Sequence, residues 1–401
     1  MDIAICHPNV FPTTGGCATY IADLARRLVR DGHEVHLYAG DWDAQALPNG
    51  LRCHRLSLPR GPRFLRPWAF GAACIQALKR ANHDVSIGFD KTLGTDIVYP
   101  QGGLHAASFE HNLRKHRTPF VRWAASIIKS LDLAHWSFAR LEQQQYLGPN
   151  RPVVIAISDM VRRHFQMYYG IDPEELRLVH AAIDPARFRD HDRARRRHDW
   201  RRQCGIAPDE TVALFVGVNY ALKGHDPLLR ALPRVPRQQP LRLLVVGHAN
   251  HGRYRRLARR LGVEQRVCFA GPVRDVKQCY FAADFLVHPT FYDPCSLVAL
   301  EALACGLPVI TSRYNGATEL FGPRDGYVVD DPHDHERLAW CITQLLDPIR
   351  RQSCAASANL AAARWTFERH YRQILPIFEE VASQQPSSRT GSHGWLVRAA
   401  S

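Results

Sequence analysis

The sequence predicts an α/β protein built from two Rossmann-like domains, and three observations carry that prediction. Strand, glycine-containing loop and helix follow one another in two successive series, one starting at residue 2 and one at residue 212. Segments such as TVALFVG (211–217) and LRLLVVGH (241–248) are apolar without alternation, as parallel strands covered on both faces require. A chain of 401 residues exceeds what one hydrophobic core holds and suits two domains.

Composition narrows the class. Apolar residues make up 46% and charged residues 22%, as in soluble globular proteins. The 11 cysteines are scattered without a C-x-x-C pair, and several fall in apolar runs, which reads as buried thiols of a reducing compartment. MDIAIC begins a strand at once, with no basic segment and apolar stretch of a signal peptide, and no run of about eighteen apolar residues occurs. A cytoplasmic protein that spans no membrane is expected. The net charge of +14 implies an acidic partner, whether nucleic acid, anionic lipid or a phosphorylated substrate.

Taken in order, residues 2–6 form the first strand, and HPNVFPTTGG leads to a helix over about 17–31. There Ile21, Leu24, Ala25, Leu28 and Val29 recur at helical spacing until Gly32 stops it. Gly15 and Gly16 stand at the strand-to-helix turn, where bare backbone lets a phosphate or sugar approach closely. EVHLY (34–38) is the next strand, residues 51–67 read as an Arg- and Pro-rich loop, and a helix is expected over about 68–81. VSIGF and DIVYP are further strands, followed by a loop with Gly102, Gly103 and His105. Residues 118–141 combine Trp123, Ile127, Ile128, Leu131 and Trp136 with Arg122, Lys129 and Arg140. That is an amphipathic helix suited to an anionic membrane surface, or to packing on the first domain. VVIAIS (153–158) is the last strand of the first domain, and the charge-dense stretch 187–205 reads as an exposed helix leading into the second.

The second series contains the most informative stretch, DFLVHPTFYDPCSLVALEALACGLPVITS (284–312). A buried strand runs into a loop, then a helix over 297–304 closed by Gly306 and Pro308, then a second strand. Asp293 stands at the end of the loop and Glu301 about two turns along the helix. The amides of Ser296, Leu297 and Val298 belong to the first turn of that helix, where N–H groups lack intrahelical partners and attract anions and polar oxygens. Acceptors facing donors across a crevice suit a polyhydroxylated ligand that carries phosphate. Taken alone, Asp293-Pro294 is also an ordinary helix start.

Asp293, seven intervening residues and Glu301 resemble the E-x7-E motif of the retaining glycosyltransferases of family 4, which have the GT-B fold; here the first acid is Asp. Gly217 with Lys223-Gly224 resembles the family's G-x-x-x-x-x-K-G element, without the Arg that often precedes the lysine. NGATEL and DGYVVD (315–330) also look like its pattern, and RLVHAAIDPARF (177–188) resembles its crossing segment with Ala181-Ala182 where Asn-Gly is usual. Within the family, GFDKTLGTD and the opening loop look most like the lipopolysaccharide core glucosyltransferase I group.

The resemblance implies two domains facing across a cleft, 1–182 on the acceptor side and 183–365 on the nucleotide-sugar side. A helix at about 366–384 would cross back to the first domain, and 385–401 would form a disordered tail. It implies transfer of a hexose, with retention, from a nucleotide diphosphate sugar such as UDP-glucose to a glycan or glycolipid such as lipopolysaccharide core. Lys223 would meet the diphosphate and Glu301 the ribose. Asp293 and the amides of Ser296, Leu297 and Val298 would hold the donor sugar beside Gly217, and Gly15 and Gly16 would face the acceptor. His105, or else Asp96 or Gln101, would lie beside the reacting sugar. Asp293, Lys223 and His105 are thus the catalytic candidates. No metal-ligand cluster is visible in the spacing, and neither metal nor cofactor is expected. The partners implied are the donor, an anionic glycolipid or glycan acceptor, and an anionic membrane at its inner face, with no nucleic acid. Two other readings stand beside this one: a basic nucleic-acid binder on a Rossmann-like scaffold, and a GT-B phosphorylase or epimerase.

Overall fold

The computed structural model describes residues 1–12, 15–59 and 61–384, so the tail expected at 385–401 lies outside the described residues. The first half contains β1 (Asp2–Cys6), β2 (Asn9–Val10), β3 (Glu34–Ala39), β4 (Asp41–Trp42), β5 (Arg52–Arg55), β6 (Val85–Phe89), β7 (Ile97–Tyr99), β8 (Val153–Ala156) and β9 (Arg177–Leu178). Seven of these form a sheet in the order β5-β3-β1-β6-β7-β8-β9, while β2 and β4 make a separate ribbon. The second half contributes β10 (Thr211–Gly217), β11 (Leu241–Gly247), β12 (Val267–Gly271), β13 (Phe285–His288), β14 (Val309–Ser312) and β15 (Gly326–Val329), ordered β12-β11-β10-β13-β14-β15.

Parallel pairing explains the unbroken apolar strands. β1 pairs with both β3 and β6, and β10 with both β11 and β13, all parallel, so both edges of each central strand are hydrogen-bonded and its side chains are buried on both faces of the sheet. Ile3, Ile5, Val85, Ile87, Val212, Leu214, Phe285 and Leu286 are accordingly fully buried. In each sheet the strand order reverses beside the first strand, between β1 and β6 and between β10 and β13. Such a reversal opens a crevice at the carboxyl ends of the strands. The loops after β1, β10 and β13 carry Gly15 and Gly16, Lys223, and Asp293, and the chain after β7 carries Gln101 and His105.

The two halves share one seam. The hydrophobic cluster that holds Ile3 and Ile5 also holds Tyr292, Cys295 and Ala299 of the second half. The last described helix, Phe367–Ser383, lies on the first half: Phe367 N–H donates to Ile183 O at 2.9 Å, Tyr20 Oη meets His370 Nε2 at 2.6 Å, and Arg27 pairs with Glu368.

Three sequence expectations need correction. The stretch 51–67 is not all loop, because Arg52–Arg55 adds an edge strand to β3. The helix expected over 118–141 is two, Pro119–Ser130 and Leu133–Leu147, since Asp132 accepts from Ala134 N–H at 2.9 Å and starts a new helix. The arginines of 187–205 are not simply exposed. Arg197 and Arg201 both reach Asp284 at 2.7 Å and also donate to carbonyls of 281–283, and Arg201 is buried. Much of that positive run is spent inside the second domain.

Candidate active site

The two loops at the β10/β13 reversal bring together residues seventy positions apart. Lys223 Nζ lies 2.6 Å from Asp293 Oδ2 and 3.4 Å from Tyr292 O. His288 Nε2 stands 3.3 Å from the same Asp293 oxygen. Burial alone would raise the Asp293 carboxyl, but the Lys223 ammonium and the His288 contact outweigh it and hold it well below the usual carboxylate range. The aspartate is therefore a fixed anion at neutral pH.

Local backbone sets the lysine. A Cβ on Gly217 would stand 3.3 Å from Lys223 Cγ, so the bare residue leaves room for the lysine stem. Gly224 takes φ +81°, and a Cβ there would lie 1.9 Å from Pro289 O; only glycine allows the two loops to meet this closely. Of the intervening residues, Tyr220 is buried beneath the turn, with its hydroxyl accepting from His248 N–H at 3.1 Å. Asn219 O accepts from Lys223 N–H at 2.9 Å, which turns the chain toward the aspartate.

The helix Leu297–Ala304 begins at Ser296, whose hydroxyl accepts from Ala299 N–H at 3.4 Å and whose own N–H donates to Asn315 Oδ1 at 3.1 Å. Leu297 and Val298 occupy the first turn. On the same helix Glu301 accepts from Tyr280 Oη at 2.6 Å. Burial raises its carboxyl above the usual value, against the Tyr280 hydrogen bond. Across the seam, a Cβ on Gly16 would come within 2.9 Å of Leu297 Cδ1, so the glycine turn of the first domain faces the amino end of this helix; Gly15 beside it is open.

Other candidates lie elsewhere. The imidazole of His105 sits 3.1 Å from His135 Nδ1 and edge-on to Phe138, both in the first domain, and burial lowers it to about 4. No recorded contact joins it to Lys223 or Asp293. Asp96 accepts from Ser86 N–H and Oγ at 2.8 and 2.6 Å, near the start of β6 and so at the opposite end from the cleft, where it staples two strands. Gln101 is in the loop after β7, with its buried Nε2 lacking a partner among the described residues. Ala181 and Ala182, at the departure from Asn-Gly, are packed in the seam.

Sequence reasoning missed several residues. Asp90 follows β6 in a left-handed conformation, φ 53°, and accepts from Gly102 N–H at 2.6 Å. His7, Cys17 and Asp90 place one ligand atom each within 4.8 Å of one another on the first-domain side, and Asp2, His36 and His83 do the same elsewhere. Neither group is visible in the sequence spacing. Sequence separations of this size carry no ligand signature until strand pairing is known. Ser158 Oγ donates to Pro294 O at 2.7 Å, and Glu319 of NGATEL accepts from Asp159 N–H and Met160 N–H at 2.7 and 2.8 Å; both bind the domains together.

The profile described as Glycosyltransferase Family 4 matches residues 14–187 and that of Glycosyl transferases group 1 matches residues 196–359. A D-inositol 3-phosphate glycosyltransferase of Acidothermus cellulolyticus is 30% identical, over 94% of this chain and 88% of that relative. The chain belongs to the GT-B glycosyltransferases. The lipopolysaccharide glucosyltransferase WaaG of Escherichia coli (strain K12) is 25% identical to this glycosyltransferase, over 87% of the chain and 91% of the relative. The WaaG crystal structure superimposes with a TM-score of 0.77 at 23% identity, covering 94% and 99% of the two chains. The Anabaena protein HepE, solved with UDP-glucose, gives 0.69 at 21%, covering 95% and 100%. Membership decides against a nucleic-acid binder on a borrowed scaffold.

Proposed function

We propose that this glycosyltransferase moves glucose from UDP-glucose, with retention at the anomeric carbon, onto an anionic glycolipid such as lipopolysaccharide core at the inner face of the membrane. The observation that carries the reading is the Lys223–Asp293 ion pair at the strand-order reversal of the second domain. A diphosphate arriving beside Lys223 competes for its ammonium and leaves Asp293 to accept a sugar hydroxyl. Glu301, oriented by Tyr280, suits the ribose hydroxyls, and the amides of Leu297 and Val298 suit the sugar and phosphate oxygens, while the Ser296 amide is engaged by Asn315 Oδ1.

In the reaction the anomeric C–O bond to the diphosphate breaks while the acceptor oxygen bonds to the same face, and the departing phosphate oxygen takes the acceptor proton. Negative charge develops on the diphosphate, where Lys223, drawn from Asp293, and the helix amides meet it, and the reading requires no catalytic metal. Contact between Gly16 and Leu297 shields the centre from water, which competes with the acceptor. Support for glucose and UDP comes from the names of WaaG and of the HepE complex.

The acceptor side supports a membrane-bound substrate. Helix Pro119–Ser130 has no buried residue, and Phe120, Ile128 and Leu131 are exposed by 73%, 70% and 77%, next to exposed Trp123 and Trp136. Arg122 and Lys129 turn inward, Arg122 donating to His116 O at 2.6 Å and Lys129 lying over the Phe109 ring, so the exposed face of this helix is apolar, as in a helix that lies in a membrane interface. No helix among the described residues is long and apolar enough to cross a membrane.

Thermal melts with UDP, GDP and ADP test the donor site, because a ligand of the folded state raises Tm. UDP is expected to give the largest shift; a failure of all three at saturation ends the reading. Labelled UDP-glucose with bacterial lipid extract should then yield an α-linked glycolipid. Release of glucose 1-phosphate on adding inorganic phosphate would instead make the enzyme a phosphorylase.

A further inference from the structure

We propose that the first domain also binds one transition-metal ion, zinc by its ligand set, between Asp2, His36 and His83 at the end of the sheet remote from the cleft. Strand pairing builds the group. Asp2 opens β1 opposite Glu34 of β3, and His36, two residues on, projects from the same face. His83 follows helix Arg66–Ala81, whose terminal Asn82 takes φ 52° and turns the chain back over the sheet.

Asp2, His36 and His83 offer donor atoms within 4.8 Å of one another, and an ion would take the place of the proton that His83 and Asp2 share. His83 Nδ1 is 2.6 Å from Asp2 Oδ1, while His36 Nε2 is 3.6 Å from Asp2 Oδ1 and 3.4 Å from Glu34 Oε1. The two longer separations exceed those of good N–H···O bonds. They are close to the separation of roughly 3.4 Å between ligands of a tetrahedral zinc with bonds of about 2.0–2.1 Å. Both imidazoles are buried, and the sheet face beside them is closed by Phe70, Cys74 and Leu78. Glu34, which also pairs with Arg52, supplies the fourth ligand or yields it to water.

A second, independent feature points the same way. Each histidine has its other ring nitrogen engaged: His36 Nδ1 with His54 Nε2 at 2.8 Å, and His83 Nε2 with Tyr38 Oη at 2.8 Å. If both of those nitrogens carry the proton, the lone pairs of His36 Nε2 and His83 Nδ1 face Asp2. This is the outer arrangement that orients metal-bound imidazole. Two imidazoles with one or two carboxylates suit zinc over magnesium or calcium. The site ties β1, β3 and the turn before β6, so its role is to hold the first domain together and not to act on substrate.

The test uses the tag-free full-length chain, stripped with chelator, titrated with zinc chloride by calorimetry and with cobalt for its visible spectrum. One tightly bound equivalent is expected, with Tm rising as zinc is added. His83→Gln and Asp2→Asn should abolish it, and Tyr38→Phe should weaken it about tenfold or more. Cys17→Ser, which removes a ligand of the other cluster, should leave it intact. Lack of stoichiometric binding by the wild-type chain overturns the proposal, as does unchanged binding in both ligand variants. Should those variants fail to fold, the wild-type cobalt spectrum decides: four-coordinate bands without a sulfur charge-transfer band support the site, and a sulfur band assigns the ion to Cys17 and overturns it.

Discussion

At the scale of single residues, the site turns on one ammonium. Lys223 is held between Asp293 and the Tyr292 carbonyl by a turn that tolerates only glycine at 224, so its charge is in place before a diphosphate arrives. Lys223→Ala is expected to lower kcat by about a hundred- to a thousand-fold, the usual cost of losing one preorganised partner of developing charge. A loss confined to KM would show that the lysine binds the ground state only. Gly224→Ala should destabilise the second domain, because the new Cβ meets Pro289 O in a left-handed backbone; an unchanged Tm would contradict this. Lys223, Asp293 and Glu301 were singled out in the sequence by their resemblance to family motifs, and the structure brings Lys223 and Asp293 together. His105 was less legible: which way a side chain points at a helix start depends on the neighbouring helix, here the one carrying His135 and Phe138.

At the scale of elements, composition misled where polar groups have internal targets. The run 187–205 reads as a solvated face, yet its helix Arg193–Gln203 lies on the second domain with Arg197 and Arg201 converging on Asp284. Asp284 also accepts from Val212 N–H at 2.7 Å and so ties this helix to the first turn of β10. Asp284→Asn leaves two guanidinium groups without their counter-charge and should cost about 3 kcal/mol of unfolding free energy. A denaturation midpoint equal to that of the wild type would show that the carbonyls of 281–283 suffice. The central strands, by contrast, were legible, since a parallel strand buried on both faces has few residue types available, whereas the edge strand Arg52–Arg55 was hidden in a polar stretch. The split at Asp132 was legible only as a capping residue whose effect depends on where the preceding helix ends.

At the scale of the whole molecule, the seam between the domains contains neutral histidines. His111 Nδ1–H donates to Phe291 O at 3.0 Å, its lowered pKa keeping the ring neutral, and it stacks on Tyr292, with His164 close by. Burial, with Arg114 nearby for His111 and with His111 and Arg163 nearby for His164, lowers each to about 4. The sign follows directly: the unfolded chain takes up protons below about 6.5 that the folded chain refuses until about 4. Stability is thus complete above that window and is lost as pH falls through it. Thermal melts should show Tm declining between pH 6.5 and 5, before most carboxylates titrate, and His111→Asn should flatten the decline; a flat wild-type profile would refute the assignment. The two-domain arrangement was legible from the doubled strand–loop–helix series, whereas the seam depends on loops whose partners lie far away in the chain.

Glu319 belongs to the second domain but satisfies the first two amides of a first-domain helix, Asp159–Tyr169. That helix therefore has its amino end finished only while the lobes are docked. Any excursion that parts them bares the Asp159 and Met160 N–H groups to solvent. Deuterium uptake at those two positions becomes a clock for the breathing of the enzyme, and a saturating donor nucleotide should slow it.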